Sequence, residues 1–423
     1  MQSNCAIAPT LQKGLCRRLI DRELGGRKRR RTTQTLDHAF AERIKNLTLS
    51  LAHDTHNPDI QSLKFSYLRR RSKIVEIVCA GDLYFALTLS GVCAAFLKGK
   101  FLTLLNTKPD EVIRSIFYNK VNSSIISVSV FMEDNFASLK CRSTPLQYVC
   151  RCKSDLGFDI FERISLKWPG FVELDDVNGK ILTYSAEARS YCVWDMKNYD
   201  PLYKIPDSSV NEIKISPDLL LLSMERKSGY VPLKILSIQD GRVIRTLSMP
   251  VHRTKKIDFI EQFNEKLLIK QDSECLLIMD VLSSSVIRVP ETENLTPSAF
   301  IFLHEKMLFL TFRSRQICAW NFRGQIVSRF QDHVLSHPDT NTSNIFITSS
   351  QDYIISYCKR RDQDNRPGGT VNITHITSGK CVAKIAGGEA MKELQDVTAL
   401  SYNEALCELY IGASSGMMYT FSL

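Results

Sequence analysis

The chain has 423 residues, of which 44% are hydrophobic and 24% are charged. This balance is ordinary for a globular protein, and it excludes disorder throughout the chain because enough apolar surface is present to form a core. No apolar run approaches the roughly 18 residues that a membrane-spanning helix needs, and the first residues lack the apolar stretch of a secretory signal. We therefore expect an intracellular protein with no membrane partner.

The positive charge of the chain is concentrated near its N-terminus. Residues 1–73 contain 16 Lys and Arg against 6 Asp and Glu, a balance of +10. The other 350 residues contain 55 − 16 = 39 basic and 45 − 6 = 39 acidic side chains, a balance of zero. Such asymmetry indicates a basic arm that binds an acidic partner or carries an address signal.

The predicted arm comprises residues 1–62 and is partly helical or disordered. A first amphipathic helix is predicted over residues 9–24, before the helix-stopping pair Gly25 and Gly26. A second is predicted over residues 35–51, where apolar side chains recur at intervals of three and four: Leu36, Phe40, Ile44, Leu47 and Leu51. The apolar face of this second helix either packs on the rest of the protein or docks a partner.

Two runs of basic residues are the clearest motifs of the chain. The first run consists of Arg27, Lys28, Arg29, Arg30 and Arg31, and the second of Arg69, Arg70, Arg71 and Lys73. Consecutive cations stay exposed, and such runs are typical of nuclear localisation signals or nucleic-acid patches. We predict that the first run directs nuclear import. A nucleic-acid or acidic-partner contact and a plain solvated linker are the alternatives.

From residue 74 onward the helical period gives way to short apolar runs bounded by turn residues, which is the signature of an all-β fold. The runs repeat in units of four predicted strands. Equivalent positions of the first strand are separated by 41, 44, 43, 45 and 52 residues: Val172, Ile213, Ile257, Phe300, Ile345 and Val397. A period of about 40–45 residues is expected for propeller blades. We therefore predict an all-β fold, a seven- or eight-bladed β-propeller over residues 63–423 with a short helical, basic N-terminal extension.

The first and last units of the repeat depart from this plan. The last unit, which starts near Val397, has only three predicted strands, and a ring would leave an open sheet edge there. We expect residues 63–67 to supply the missing outer strand. Two early units, over residues 74–106 and 112–150, are less regular, and a linker over residues 150–170 lengthens the second of them.

Three short segments resemble the WD-repeat, or transducin-like, β-propeller family. They are Ser216-Pro217-Asp218 at a first turn, and Val193-Trp194-Asp195 and Ala319-Trp320-Asn321 at the ends of third strands. The chain is similar to a divergent, plant-type member of that family over residues 74–423. The resemblance implies a rigid disk that binds peptides or other proteins on its faces and rim and performs no chemistry of its own.

No catalytic motif accompanies the repeats. The sequence lacks a nucleophile elbow, a Gly-rich phosphate loop with Lys and the His-Glu-x-x-His pattern, so we predict no enzyme activity, catalytic residue, cofactor or small-molecule substrate. The 13 cysteines include no Cys-x-x-Cys pair and are expected to be reduced, buried side chains. We expect His53 and His56 to be solvated rather than metal-binding, and Trp168, Trp194 and Trp320 to lie in blade cores.

The sequence thus favours a non-enzymatic protein-interaction scaffold in a nuclear complex, located in the nucleus, the cytoplasm or both. A first alternative is a substrate receptor of a cullin-type ubiquitin ligase, since propellers of that class carry a Trp-Asp-x-Arg ending. Here the pattern falls on Trp194, Asp195 and Lys197, and Lys lacks the planar fork of Arg. A second alternative is a nucleic-acid-associated protein that binds through its basic arm only.

Overall fold

The computed structural model describes most of the chain beyond its first 39 residues. The described residues are 40–56, 71–216, 218–225, 230–252, 254–289, 299–313, 316–330, 344–359, 369–386 and 392–423. The chain divides into two units, residues 1–46 and residues 47–423. In the first unit, residues 40–45 are helical. The predicted helix over residues 9–24 and the first basic run lie outside the described residues.

The second unit consists of eight antiparallel sheets of four strands each. Within each sheet consecutive strands are neighbours, and the first strands of adjacent sheets contact one another around a common axis. The fold is therefore an eight-bladed β-propeller. The predicted all-β propeller is confirmed, and the number of blades is eight.

The blades are numbered in chain order from the first complete sheet. Blades 1 and 2 comprise β2 (Ile74–Ala80), β3 (Leu83–Thr88), β4 (Cys93–Leu97), β5 (Lys100–Leu104), β6 (Glu111–Asn119), β7 (Ser124–Phe131), β8 (Lys140–Pro145) and β9 (Phe158–Ile160). Blades 3 and 4 comprise β10 (Phe171–Asp175), β11 (Lys180–Ser185), β12 (Ser190–Asp195), β13 (Pro201–Pro206), β14 (Val210–Ser216), β15 (Leu219–Met224), β16 (Tyr230–Ser237) and β17 (Val243–Pro250).

The second half of the ring follows the same plan. Blades 5 and 6 comprise β18 (Ile257–Phe263), β19 (Lys266–Gln271), β20 (Leu276–Asp280), β21 (Val286–Val289), β22 (Ala299–Leu303), β23 (Leu308–Arg313), β24 (Gln316–Asn321) and β25 (Ile326–Arg329). Blades 7 and 8 comprise β26 (Ile345–Ile347), β27 (Tyr353–Lys359), β28 (Gly369–His375), β29 (Cys381–Ala386), β30 (Val397–Asn403), β31 (Glu408–Ala413), β32 (Met417–Ser422) and, as outer strand of blade 8, β1 (Thr48–Asp54). Short helical turns lie at Met132–Asp134, Leu146–Cys150, Ser154–Leu156 and Lys392–Leu394.

The core of the propeller lies between neighbouring blades. Leu182 and Val193 of blade 3 pack in one cluster with Leu220 and Leu222 of blade 4. Because both faces of a sheet meet another sheet, the second strands carry continuous apolar runs rather than alternating ones, and all six side chains of β3 are buried. The six aligned positions of the sequence repeat, from Val172 to Val397, all fall in first strands.

The outer strand of blade 8 is not the one predicted from the sequence. β1 pairs antiparallel with β32, and Thr48 lies opposite Ser422. Residues 63–67, which we expected in this position, lie outside the described residues. The predicted helix over residues 35–51 is wrong at its C-terminal end, because residues 48–51 belong to β1. Unpaired backbone groups on β32 favour an extended partner there over the helix that the apolar spacing predicts.

The junction between blades 1 and 8 closes the ring. The hydroxyl group of Thr398 donates to the carbonyl oxygen of Ile74 at 2.6 Å, and the side-chain amide of Asn403 donates to the carbonyl oxygen of Gly81 at 2.8 Å. The rings of Tyr84 and Tyr410 meet with their centroids 4.2 Å apart. The first and last blades therefore pack as the other neighbouring blades do.

Within the residues that the structure describes, no helix has the length and apolar character needed to cross a bilayer.

Candidate functional site

The three tryptophans occupy two different environments. Trp194 and Trp320 are 7% and 4% exposed, and their indole N–H groups donate to the hydroxyl groups of Thr183 and Thr311, each at 2.9 Å. Trp168 is 86% exposed. The predicted core position is therefore confirmed for Trp194 and Trp320 and wrong for Trp168. The reason is that Trp168 lies in the connection between blades 2 and 3 rather than in a strand.

The connection that carries Trp168 runs alongside the turn that precedes β8. The backbone N–H of Trp168 donates to the carbonyl oxygen of Ala137 at 3.0 Å, and that of Leu139 donates to the carbonyl oxygen of Leu166 at 3.1 Å. Ser138 and Lys167 form an isolated bridge between these two hydrogen bonds. The short ladder fixes the backbone under the exposed indole ring.

A cavity of about 320 Å³ opens beside this ladder. It is lined by Ser138, Leu139, Lys140, Cys141, Asp159, Ile160, Phe161, Glu162, Ile164, Ser165 and Leu166. The lining combines apolar side chains, such as those of Leu139 and Ile160, with the charged side chains of Lys140, Asp159 and Glu162. Burial, and secondarily the charge of Asp159, raises the pKa of the Cys141 thiol to about 12, so this cysteine is a protonated, apolar part of the wall at neutral pH.

A smaller cavity of about 70 Å³ adjoins the first, and Lys140 and Asp159 line both. The ammonium groups of Lys108 and Lys140 lie 5.3 Å and 4.6 Å from the centre of the Phe131 ring. Lys140 also forms an ion pair with Glu133 at 3.0 Å. We define the blade 2 groove as these two cavities together with Trp168.

The floor of the blade 2 groove is held by buried polar contacts. The carboxylate of Glu111 accepts from the hydroxyl group of Ser129 at 2.7 Å and from the backbone N–H of Thr107 at 2.6 Å. The guanidinium group of Arg142 donates to the carbonyl oxygen of Gly157 at 3.0 Å. Such contacts keep the groove in one shape before a partner arrives, which lowers the entropy cost of binding.

The basic residues predicted as functional are only partly described. Arg27, Lys28, Arg29, Arg30 and Arg31, and also Arg69 and Arg70, lie outside the described residues. Arg71 forms hydrogen bonds within blade 8 of the propeller. Its guanidinium group donates to both carboxylate oxygens of Asp54 at 3.0 Å and 2.6 Å, and to the carbonyl oxygen of Ser415 at 3.2 Å. Lys73 is exposed just before β2. The second basic run thus includes one residue that ties β1 to blade 8.

The predicted adaptor-docking residues lie at the end of β12. Trp194 is buried, and Lys197 is exposed in the turn that follows. The carboxylate of Asp195 accepts from the backbone N–H of Lys197 at 2.8 Å, so it stabilises the turn. Docking of a cullin-ligase adaptor at this turn stays a prediction.

Among the residues that the structure describes, no group of three or more His, Cys, Asp or Glu side chains is arranged to hold a metal ion. Eleven cysteines lie in that part of the chain, and all are free thiols. Sequence reasoning missed the blade 2 groove as a site. The signals that could have indicated it were the irregular interval at residues 150–170 and the presence of Trp168 inside it.

Comparisons with known proteins give a family and a fold. A family model described as a domain of unknown function (DUF7899) matches residues 32–421, and no curated protein matches the chain. The computationally designed Ika8 protein has a similar fold, with a TM-score of 0.51 and 12% identity over 85% of this chain and 99% of that one. BamB from Moraxella catarrhalis aligns over 89% of this chain and 98% of that one, with 12% identity and a TM-score of 0.45.

Proposed function

The chain belongs to the DUF7899 family, described as a domain of unknown function, and we propose that it is a non-enzymatic protein-interaction scaffold in a nuclear complex. A closed ring of sheets has few free edges, and its connections present a wide and firm surface. The blade 2 groove is the part of that surface that best fits a protein partner.

The observation that carries this proposal is the 86% exposure of Trp168, two residues along the chain from Leu166 in the lining of a cavity of about 320 Å³. Leaving an indole ring in water forgoes a large apolar burial. Tryptophan is also enriched among the residues that dominate the energy of protein interfaces, where it meets a well-packed pocket. The combination supports a partner that covers the ring of Trp168 and fills the cavity.

The lining of the groove indicates the chemistry of such a partner. Leu139, Ile164 and Leu166 contribute apolar side chains to the lining of the larger cavity, and Lys140 and Asp159 line both cavities. An apolar side chain fits the interior, and polar groups that flank it on the partner fit the two charged side chains. A short segment of another protein has this composition, and a pocket of this size accepts one or two of its side chains.

A closer relationship to WD-repeat propellers of the plant type is part of this proposal. Blades 3 and 6 place Trp194 and Trp320 at the same position of their third strands. Each indole ring donates to a threonine of the second strand, Thr183 or Thr311. Repetition of this contact in two blades supports a common repeat ancestor.

The proposal is tested by comparing proteins that co-purify with the tagged chain from nuclear extracts, measured by quantitative mass spectrometry. The variants are Trp168→Ala and, as a matched control, Leu282→Ala, which removes a side chain that is 49% exposed on blade 5. We expect at least one partner to fall about tenfold with Trp168→Ala, as loss of an interface hot spot implies, and to stay with Leu282→Ala.

Direct binding of that partner is then measured with purified proteins. A loss of affinity confined to Trp168→Ala supports the blade 2 groove as the interface. Indistinguishable partner sets for the wild type and Trp168→Ala would contradict the proposal.

A further inference from the structure

The turns that join the first and second strands of the blades form a ring around the propeller axis. All the first strands run in the same direction, so these turns lie on one face of the ring, nearest its centre. We call them the inner turns, and their described residues are 81–82, 120–123, 176–179, 218, 264–265, 304–307, 348–352 and 404–407.

The described inner turns carry a marked excess of negative charge. Every blade except blade 2 contributes one carboxylate: Asp82, Asp176, Asp218, Glu265, Glu305, Asp352 and Glu404. Two lysines oppose these seven, Lys120 of blade 2 and Lys306 of blade 6, so the balance is 2 − 7 = −5. The +10 charge of the whole chain therefore conceals an acidic centre on one face.

Contacts between successive inner turns fix the position of this charge. Four of them are Lys120 to Asp176 at 3.7 Å, the backbone N–H of Asp218 to the side-chain oxygen of Asn178 at 2.9 Å, Lys306 to Asp352 at 2.5 Å, and the backbone N–H of Ser349 to Glu404 at 2.6 Å. Because the turns hold one another, the carboxylates form a preorganised surface. Such a surface binds an opposite charge with little loss of conformational entropy, because its side chains are already ordered.

A buried amide at the inner turn of blade 5 points independently to a hydrogen-bond donor. Gln262 is only 4% exposed, and its side-chain N–H donates to the carbonyl oxygen of Asn264 in that turn at 3.2 Å. The amide oxygen of Gln262 and that of Asn264 are both buried, and neither has a partner among the described residues. A buried amide oxygen without a donor is costly. Glu265, which is exposed, follows Asn264 in the same turn.

Other basic residues on the same face lie in the outer turns, between third and fourth strands. Lys98, Lys197 and Lys380 are examples, and all three are in turns at the rim. The negative potential is therefore concentrated near the axis. A ligand with several N–H donors and a positive charge matches both the carboxylates and the unpartnered amide oxygens.

We propose that the inner turns bind a lysine- or arginine-containing segment of a partner protein, with one of its cationic side chains donating hydrogen bonds at blade 5. This goes beyond the proposed function, since the blade 2 groove lies by the connections at the other end of the strands. The inner-turn proposal rests on the proposed function only in assuming that the ligand is a protein. An experiment can therefore contradict the proposal for one of the two sites and leave the other standing.

The test measures fluorescence anisotropy of a fluorescein-labelled peptide of alternating arginine and glycine with the full-length protein, at low and high salt. The ring variant combines Asp176→Asn, Glu265→Gln and Glu305→Gln, three exposed carboxylates on blades 3, 5 and 6. The matched control combines Glu187→Gln, Glu225→Gln and Asp272→Asn, three exposed carboxylates in the opposite turns of blades 3, 4 and 5. A further variant, Gln262→Met, removes the buried amide, and its thermal midpoint is measured alongside.

We expect the ring variant to weaken peptide binding about tenfold at low salt, as the loss of three exposed charge pairs implies, and the control to stay within about twofold. Gln262→Met is expected to weaken binding while the protein stays folded. Equal losses in the ring variant and the control would overturn the proposal, because they would show attraction to net charge alone. Displacement of the peptide by Ca²⁺ but not by NaCl at matched ionic strength would also overturn it, in favour of a metal site.

Discussion

Glu76 is a largely buried carboxyl group in the first strand of blade 1. The carboxyl group accepts a long hydrogen bond of 3.4 Å from the backbone N–H of Ile116. Burial outweighs that bond and raises the pKa of Glu76 from 4.5 to about 7. The folded state therefore holds the proton more tightly than the unfolded state does. The stabilising effect of protonation is complete below about pH 4.5 and is lost as the pH rises to about 7.

Replacing Glu76 with glutamine removes this pH dependence. We expect Glu76→Gln to change the free energy of unfolding little at pH 5 and to increase it at pH 8 by up to about 3 kcal/mol, since each pKa unit corresponds to about 1.4 kcal/mol. Urea denaturation of both proteins at the two pH values measures the difference. The same difference at pH 5 and pH 8 would show that Glu76 titrates alike in the folded and unfolded states.

Trp168 illustrates what single residues in a sequence do and do not indicate. Trp194 and Trp320 follow the apolar residues Val193 and Ala319, whereas Trp168 follows Lys167, yet residue type alone predicts the same core role for all three. Trp194 and Trp320 end strands of the repeat, and the prediction is right for both. Trp168 stands before Pro169 in the irregular interval, where the repeat supplies no strand to bury it. Position in the repeat was the better guide than residue type.

β1 is the element that closes the ring, and its removal has a predictable cost. β1 covers the outer edge of β32, and the bidentate pair of Asp54 and Arg71 adds a tie at its end. Without β1 the backbone groups of β32 face solvent as an open edge. We expect a chain that starts at residue 57 to unfold at least roughly 5 °C below the wild type and to aggregate more readily.

A chain that starts at residue 40 is the matched control, because it keeps β1. Differential scanning calorimetry and light scattering compare the three proteins. If the two shortened chains unfold at the same temperature, β1 does not hold the ring closed.

At the scale of elements, the strands were predictable and the closing strand was not. The repeat of about 40–45 residues located the first strands because identical blades need identical spacing. β1 also alternates, as Thr-Leu-Ser-Leu, yet its Leu51 fits the helical spacing of Ile44 and Leu47 as well. The strand conformation of β1 is favoured over the helix only by the unpaired edge of β32, which is far away in the sequence. The blade 2 groove depends in the same way on a ladder between residues 137–139 and 166–168, which no local pattern reveals.

At the scale of the whole molecule, charge separates the arm from the propeller. The excess of ten positive charges lies within residues 1–73, and the inner turns are acidic. The first basic run is therefore the best place for an address signal, and the second is partly occupied by the Asp54 contact of Arg71. We predict that Arg27, Lys28, Arg29, Arg30 and Arg31 direct nuclear import.

The import prediction is tested by fluorescence microscopy of the chain fused to several copies of a fluorescent protein, so that passive entry is excluded by size. Replacing the five residues with alanine is expected to move the fusion from the nucleus to the cytoplasm. The control replaces Arg69 and Arg70 with alanine and leaves Arg71 in place, which preserves the contact with Asp54. Continued nuclear accumulation without the first run would place the signal elsewhere in the chain.

We propose above all that a rigid propeller receives a protein partner at the blade 2 groove. Site-specific photocrosslinking tests this contact most directly, with benzoylphenylalanine replacing either Trp168 or Leu282 in the full-length protein in cells. We expect position 168 to crosslink to a discrete partner and position 282 not to do so, with the linked peptide of the partner carrying an apolar side chain. Crosslinks to the same proteins from both positions, or none from position 168, would contradict it.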